Sequence, residues 1–425
     1  MCSLMKNSGT ALLAIIFCTS LVLAPPIVLP FFNFKFQFVD FLMPILLGII
    51  IYKRWIVNWR LNYVIMLLCI IPIIIVSIII NKQFSAINDY FEIYRIITFI
   101  LVFIFFKETY NSKWFGIIWE VIFVLLLILN LFHFHNILNF NQFMMPIYCG
   151  SENYHLTHFG LNSLMQPATK RMLGLLANPN NNAILFILFT IRFLPKHRWN
   201  TKEMIFFFLG LIAILACQSR TGFLAFAVVF FTNYIISKIS WKQMVVQILS
   251  VFLISWLFLT YSIFDYAGTN NNGNINTTSD YLLTLTGGEA FTSSSVKGRL
   301  QVWQELGQQI LQRPIFGHAP RKNYFYANKL YAENGYILWT WRYGIVGLIA
   351  FVSIFLLPVK KIFNNIRSTI EAKHFLLVII TFLITNLTNS PLSHTTLSLL
   401  FFIFAGVFYS QINLPKNEPL IQNNS

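Results

Sequence analysis

Four short stretches carry the residue types that could do chemistry. The first is Arg171-Met-Leu-Gly174, followed by Asn178-Pro179-Asn180-Asn181-Asn182. It reads either as a turn and helix cap or as a polar site with Arg171 and Asn180 facing a substrate. The second is Gln218-Ser219-Arg220-Thr221-Gly222, a tight turn between two apolar runs. Its arginine either snorkels to headgroups or is fixed near the interior. The third runs from Lys297-Gly298-Arg299 to Arg313-Pro314-Ile315-Phe316-Gly317. A guanidinium fork there suits phosphate oxygens, while an interfacial helix with basic flanks is the plainer reading. The fourth is Glu333-Asn334-Gly335-Tyr336, leading into Trp341-Arg342-Tyr343-Gly344-Ile345-Val346-Gly347. Glu333, the only acid between Glu305 and Glu371, is a candidate general base or an ion-pair partner.

The elements that must position these residues are apolar. The chain has 425 residues, 57% hydrophobic and only 10% charged. A soluble domain carries about 25% charged residues, so a soluble enzyme and a disordered chain are excluded. Seventeen per cent aromatics suits interfacial anchoring. The five cysteines show no metal-ligand spacing, so no zinc site or disulfide framework is expected, and no cofactor or metal.

The runs of apolar residues predict an all-α polytopic membrane protein, a single membrane-embedded domain over residues 1–425. About twelve spans are expected, near 10–32, 38–52, 62–80, 91–106, 114–134, 182–195, 203–217, 222–237, 244–263, 336–357, 374–389 and 394–412. The net charge of +16 is explained by basic cytoplasmic connections, with no need for nucleic acid. Alternate connections hold Lys53 and Arg54, Lys107 and Lys113, Arg192 to Lys202, Lys238 and Lys242, and Lys360 to Lys373. That alternation puts both termini in the cytoplasm.

Two outer loops are long, 135–181 and 264–335, the second being a large periplasmic loop between the ninth and tenth spans. They hold Arg171, Lys297, Arg299, Arg313, Arg321, Lys322 and Lys329 against the positive-inside trend, which points to an anionic ligand. Within the second loop, Leu300, Trp303, Gly307 and Ile310 recur at helical spacing near 299–313. An amphipathic surface helix is expected there, stopped by Pro314. His318 follows, where a loop histidine is ordinarily solvated.

The order of the four stretches resembles the O-antigen ligase and polymerase superfamily. The elements are Arg-x-x-Gly with Asn-Pro-Asn, Ser-Arg-Thr, Gly-Arg with Trp and Pro-x-x-Gly, and a polar pair with Gly-Ile-x-Gly. The resemblance covers about Arg171 to Phe355. It implies a bacterial inner-membrane enzyme that transfers a glycan from undecaprenyl pyrophosphate, with the bilayer and a chain-length regulator as further partners. Arg220 and Arg299 then match pyrophosphate-holding arginines. The ligase pattern places a His-Asn or His-Ser where this chain has Glu333-Asn334. That departure favours polymerisation of lipid-linked repeat units, with Glu333, Arg299 and Arg220 catalytic. Arg171, Asn180, Lys297, Asn334, His318 and Arg321 are then substrate-binding. Ligation to lipid A-core is the alternative, and a lipid-linked glycan transporter is the rival from another class.

Overall fold

The computed structural model describes residues 8–25, 27–28, 35–55, 62–140, 171–176, 178–196, 200–239, 241–260, 294–328 and 332–412. Among the described residues the regular structure is helical, apart from one two-residue antiparallel pair, β1 (Ile27–Val28) and β2 (Lys35–Phe36). Twelve helices fall where apolar runs predict them. They are α1 (Ser8–Leu23), α2 (Phe38–Tyr52), α3 (Asn62–Ile80), α4 (Phe91–Thr109), α5 (Ser112–His135), α6 (Pro179–Thr190), α7 (Thr201–Ala216), α8 (Arg220–Ser237), α9 (Trp241–Thr260), α12 (Gly335–Leu356), α14 (Ile370–Thr385) and α15 (Thr395–Ile412). Between them lie α10 (Ser294–Gln312), α11 (Lys322–Ala327) and α13 (Val359–Asn365).

Five helical segments among the described residues are long and apolar enough to cross a membrane: Asn62–Ile80, Ser112–His135, Arg220–Ser237, Gly335–Asn365 and Thr395–Ile412. Their outward faces remain apolar, as at Ile79, Ile117, Ile235 and Ile349. Such faces have no stable place in water, and the chain is a membrane protein.

The core is organised around α15. Every residue from Thr396 to Tyr409 is buried, the mark of a helix surrounded by others. It packs on α4, α14 and α6. Phe402 stacks on Phe99 of α4 with ring centroids 4.4 Å apart. Trp119 of α5 stacks on Phe189 of α6 at 4.3 Å. These contacts tie α4 to α15 and α5 to α6.

The helix expected near 299–313 is α10. Its apolar stripe packs against α12: fully buried Leu306, flanked by Val302 and Ile310, meets Leu338 and Trp341. Two hydrogen bonds pin it, from Trp341 Nε1 to Gln309 Oε1 at 2.8 Å and from Trp303 Nε1 to the Ala332 carbonyl at 2.5 Å. An amphipathic helix can bury its stripe on lipid or on protein, and here the protein surface takes it.

Candidate active site

The first stretch folds as a tight loop capped onto α6. The Asn178 side chain accepts from the Asn180 and Asn181 amides at 2.9 and 3.2 Å, and Pro179 occupies the first helical position, where its missing amide proton is not needed. Gly174 has φ +61°, and a Cβ there would lie 2.3 Å from Asn182 Oδ1. Buried Asn182 uses its amide on Asn130 Oδ1 at 2.8 Å and on the Met172 carbonyl at 3.2 Å. An asparagine inside an apolar bundle needs such partners.

That loop is bonded to the second stretch. Arg171 donates through Nε to the Cys217 carbonyl at 3.2 Å and through Nη2 to Asn180 Oδ1 at 3.3 Å. Ser219 Oγ donates to the same Asn180 oxygen at 2.8 Å while accepting the Gly222 amide at 3.1 Å, so it caps α8. Arg220 is therefore held at the first turn of α8, one residue beyond the cap.

The fourth stretch caps α12. Asn334 Oδ1 accepts the Ile337 amide at 3.0 Å, and Nδ2 donates to the Leu387 carbonyl at 3.0 Å. Both polar ends of Asn334 are thus engaged inside the protein. Glu333 sits just before it with φ +41°, and its carboxylate is ion-paired with Arg299 of α10. The side chains of both remain partly exposed. Lys297 opens α10, and its side chain lies outside the described residues.

The hub of these stretches is a segment that sequence reasoning did not single out. Residues 386–389 link α14 to α15. The Gly335 amide lies within hydrogen-bond distance of the Asn386 and Asn389 carbonyls, at 2.8 and 2.9 Å. Asn389 Nδ2 donates to Asn181 Oδ1 at 2.8 Å, and the Thr388 and Thr221 hydroxyls are hydrogen-bonded to each other. One short turn therefore ties the first, second and fourth stretches together. Its only sequence signal is Asn386-Leu-Thr-Asn389 at the end of an apolar run, before Pro391.

The end of the third stretch docks elsewhere, into a break in α12. Gly344 has φ +66° and ψ −162°, which interrupts the helix nine residues after Gly335, about 13 Å along its axis. The backbone of 314–319 fills the gap. Ile345 donates to the Pro314 carbonyl at 2.8 Å, and the His318 and Ala319 amides donate to the Trp341 and Arg342 carbonyls, each at 2.9 Å. Ser77 of α3 and Asn81, just beyond its end, complete the seal. Ser77 Oγ bonds the Phe316 and Arg342 carbonyls at 2.7 and 3.0 Å, and Asn81 Nδ2 donates to the Gly317 carbonyl at 3.1 Å. Arg313 donates to Asn81 Oδ1. Ser77 and Asn81 are fully buried and were not foreseen; a serine and an asparagine at one end of an otherwise apolar run are their signal.

His318 is buried rather than solvated. Its ring stacks on Trp341 at 4.9 Å between centroids, and Nε2 lies 2.8 Å from the Gln309 carbonyl. Burial holds its pKa below the usual imidazole value, assisted by Arg313 and Arg321 and opposed by the bond to Gln309. The Arg321 guanidinium lies 4.6 Å from the Phe84 ring and 4.5 Å from the Tyr324 ring, a cation between two π faces. No cluster of His, Cys, Asp and Glu able to hold a metal occurs among the described residues.

Residues 205–352 match the family model described as O-antigen ligase. This region is similar to the O-antigen ligase family. No curated protein matches the chain. The O-antigen ligase region spans about a third of the sequence and contains the second, third and fourth stretches. The Arg171–Asn182 loop lies outside it and joins it through Asn180, Asn181 and Arg171. The matched family is one of membrane glycosyltransferase-like proteins.

Proposed function

We propose that the chain polymerises undecaprenyl-pyrophosphate-linked oligosaccharide repeat units at the outer face of the bacterial inner membrane, with twelve spans and both termini cytoplasmic. The observation that carries this reading is the Arg299–Glu333 ion pair at the head of α12. It puts a carboxylate where the ligase pattern has histidine, directly against a guanidinium.

In this reading Arg220 and Arg299 hold the pyrophosphate of the donor, with Arg171, Lys297 and Arg321 drawing the anionic lipid to that end. The glycosidic bond to the pyrophosphate breaks as the acceptor hydroxyl attacks the anomeric carbon. The leaving undecaprenyl pyrophosphate takes the electron pair, and the guanidinium groups offset its growing charge. Glu333 orients the acceptor hydroxyl and takes its proton directly or through water. Asn180 and Asn334 act through position: the first links Arg171 to Ser219, and the second fixes Glu333 at the start of α12. His318, packed on Trp341, shapes the neighbouring wall. A chain-length regulator is the expected protein partner.

A break in a membrane helix is also a device of transporters. Here the break at Gly344 is filled by the protein's own 314–319 backbone, which favours an enzyme over a carrier. The deciding experiment is the glycan phenotype of a deletion strain. Lipid A-core bearing a single repeat unit is the expected outcome. Complete loss of attached glycan would instead identify a ligase.

A further inference from the structure

Beside the filled break lies a charge cluster that the transfer reaction above does not use. Glu92 opens α4 and is buried. Three cations from three elements converge on it: Arg95 at 3.1 Å, Lys322 of α11 at 3.0 Å and Arg342 of α12 at 3.6 Å. Nearby Asp89 supplies one more carboxylate, but it already accepts the Ala86 amide at 3.0 Å and the Lys322 amide at 3.1 Å. Positive charge therefore exceeds negative charge in a mostly buried site, which is costly without a counterion.

A second observation is independent of that count. Tyr343 is 1% exposed, and its hydroxyl finds no hydrogen-bond partner among the described residues. It lies within electrostatic range of Arg342, Arg95 and Glu92. Arg342 Nε is likewise buried without a hydrogen-bond partner among the described residues. Buried polar groups are rarely left unmet in native proteins, so the Tyr343 hydroxyl and Arg342 Nε, two donors side by side in the chain, mark a place for an acceptor beyond Glu92, whose Oε1 is already ion-paired with Lys322. The side chains of Arg95 and Lys322 are each 20% exposed, which leaves the cluster open to a ligand.

We propose that Arg95, Lys322, Arg342 and Tyr343 form a second oxyanion site, separate from Arg299 and Arg220, for a phosphate or carboxylate carried by a lipid-linked glycan. The site itself follows from charge and orphaned donors, and only the carrier of the anion rests on the glycosyl-transfer reading. Two sources share the chemistry: the phosphate of a polyprenyl lipid and the carboxylate of an acidic sugar.

The test uses the purified full-length protein in nanodiscs, titrated separately with undecaprenyl phosphate and with glucuronate. At least one should bind, and which one binds names the source. Arg342→Gln should weaken that binding at least tenfold, while Lys202→Gln, in an exposed ion pair with Glu120, leaves it within twofold. Should Arg342→Gln fail to fold, Tyr343→Phe carries the test. It removes a hydroxyl that has no hydrogen-bond partner among the described residues, so the thermal midpoint without ligand should hold or rise while binding weakens at least threefold. A purely structural role for the cluster predicts a lower midpoint and unchanged binding. Binding of neither probe, or binding indifferent to Arg342 and Tyr343, overturns the proposal. Failure here leaves the deletion phenotype untouched, so the two readings fall separately.

Discussion

Arg299 donates through Nε to the Glu333 carboxylate, joining the first turns of α10 to the residue before the cap of α12. The pair is partly exposed, and an exposed ion pair contributes no more than about 1 kcal/mol to stability. Glu333→Gln should therefore leave the protein folded. If the carboxylate serves the acceptor hydroxyl, that change cuts turnover by at least about tenfold while lipid-donor binding is largely kept. Turnover per folded molecule, measured with a lipid-linked repeat unit, checks it. Near-normal turnover would reduce Glu333 to an ion-pair partner.

Arg220 and Arg299 are expected to meet the charge that grows on the leaving pyrophosphate. Removing a donor aimed at developing charge costs about 10²–10³ in rate. Arg220→Ala and Arg299→Ala should each lower glycan transfer by that order at unchanged protein level. Lysine should restore little, because an ammonium lacks the planar fork. Polymer-length profiles of complemented deletion strains read both effects, and full activity in Arg299→Ala would remove it from the site.

The plugged break in α12 makes Gly344 irreplaceable. A Cβ there would lie 2.1 Å from the Ile315 carbonyl oxygen, and φ of +66° is strained for any other residue. Gly344→Ala should destabilise by about 2–3 kcal/mol or more, since backbone strain alone costs about 1–3 kcal/mol. Gly307 of α10 has nothing within 4 Å of the same position. Gly307→Ala should be neutral or stabilise by up to about 1 kcal/mol. Thermal midpoints in detergent compare the two, and equal effects would contradict the docking of 314–319 against Gly344.

His318 gives the fold a pH dependence of defined sign. Its pKa in the folded protein is depressed, chiefly by burial, so the unfolded chain binds the proton more readily. The contribution of the neutral ring is complete above about pH 7 and fades as pH falls below the ordinary histidine value near 6.5. Wild-type thermal midpoints should drop between pH 7 and pH 5 more steeply than those of His318→Gln. Parallel profiles would mean that the buried, Trp341-stacked ring is not what titrates.

Sequence alone was enough to locate the helices, because an apolar run long enough to span lipid has few other stable forms. Each of the twelve expected runs contains a helix, and the caps at Asn178, Ser219 and Asn334 were legible as polar punctuation before those runs. The pairing of Arg299 with Glu333 was within reach too, since few acids lie in that stretch. What sequence could not reveal was which polar groups answer one another across the bundle. Residues 386–389 look like any turn, yet they bind three of the four stretches. Ser77 and Asn81 look incidental, yet they seal a backbone break more than 230 residues away. Glu92 and Arg95 read as ordinary first-turn charges until Lys322 and Arg342 arrive beside them. Local pattern decides the helix, because its hydrogen bonds close within four residues. Only the packed structure decides the partners of buried polar groups, because those partners come from segments whose separation along the chain carries no periodic signal.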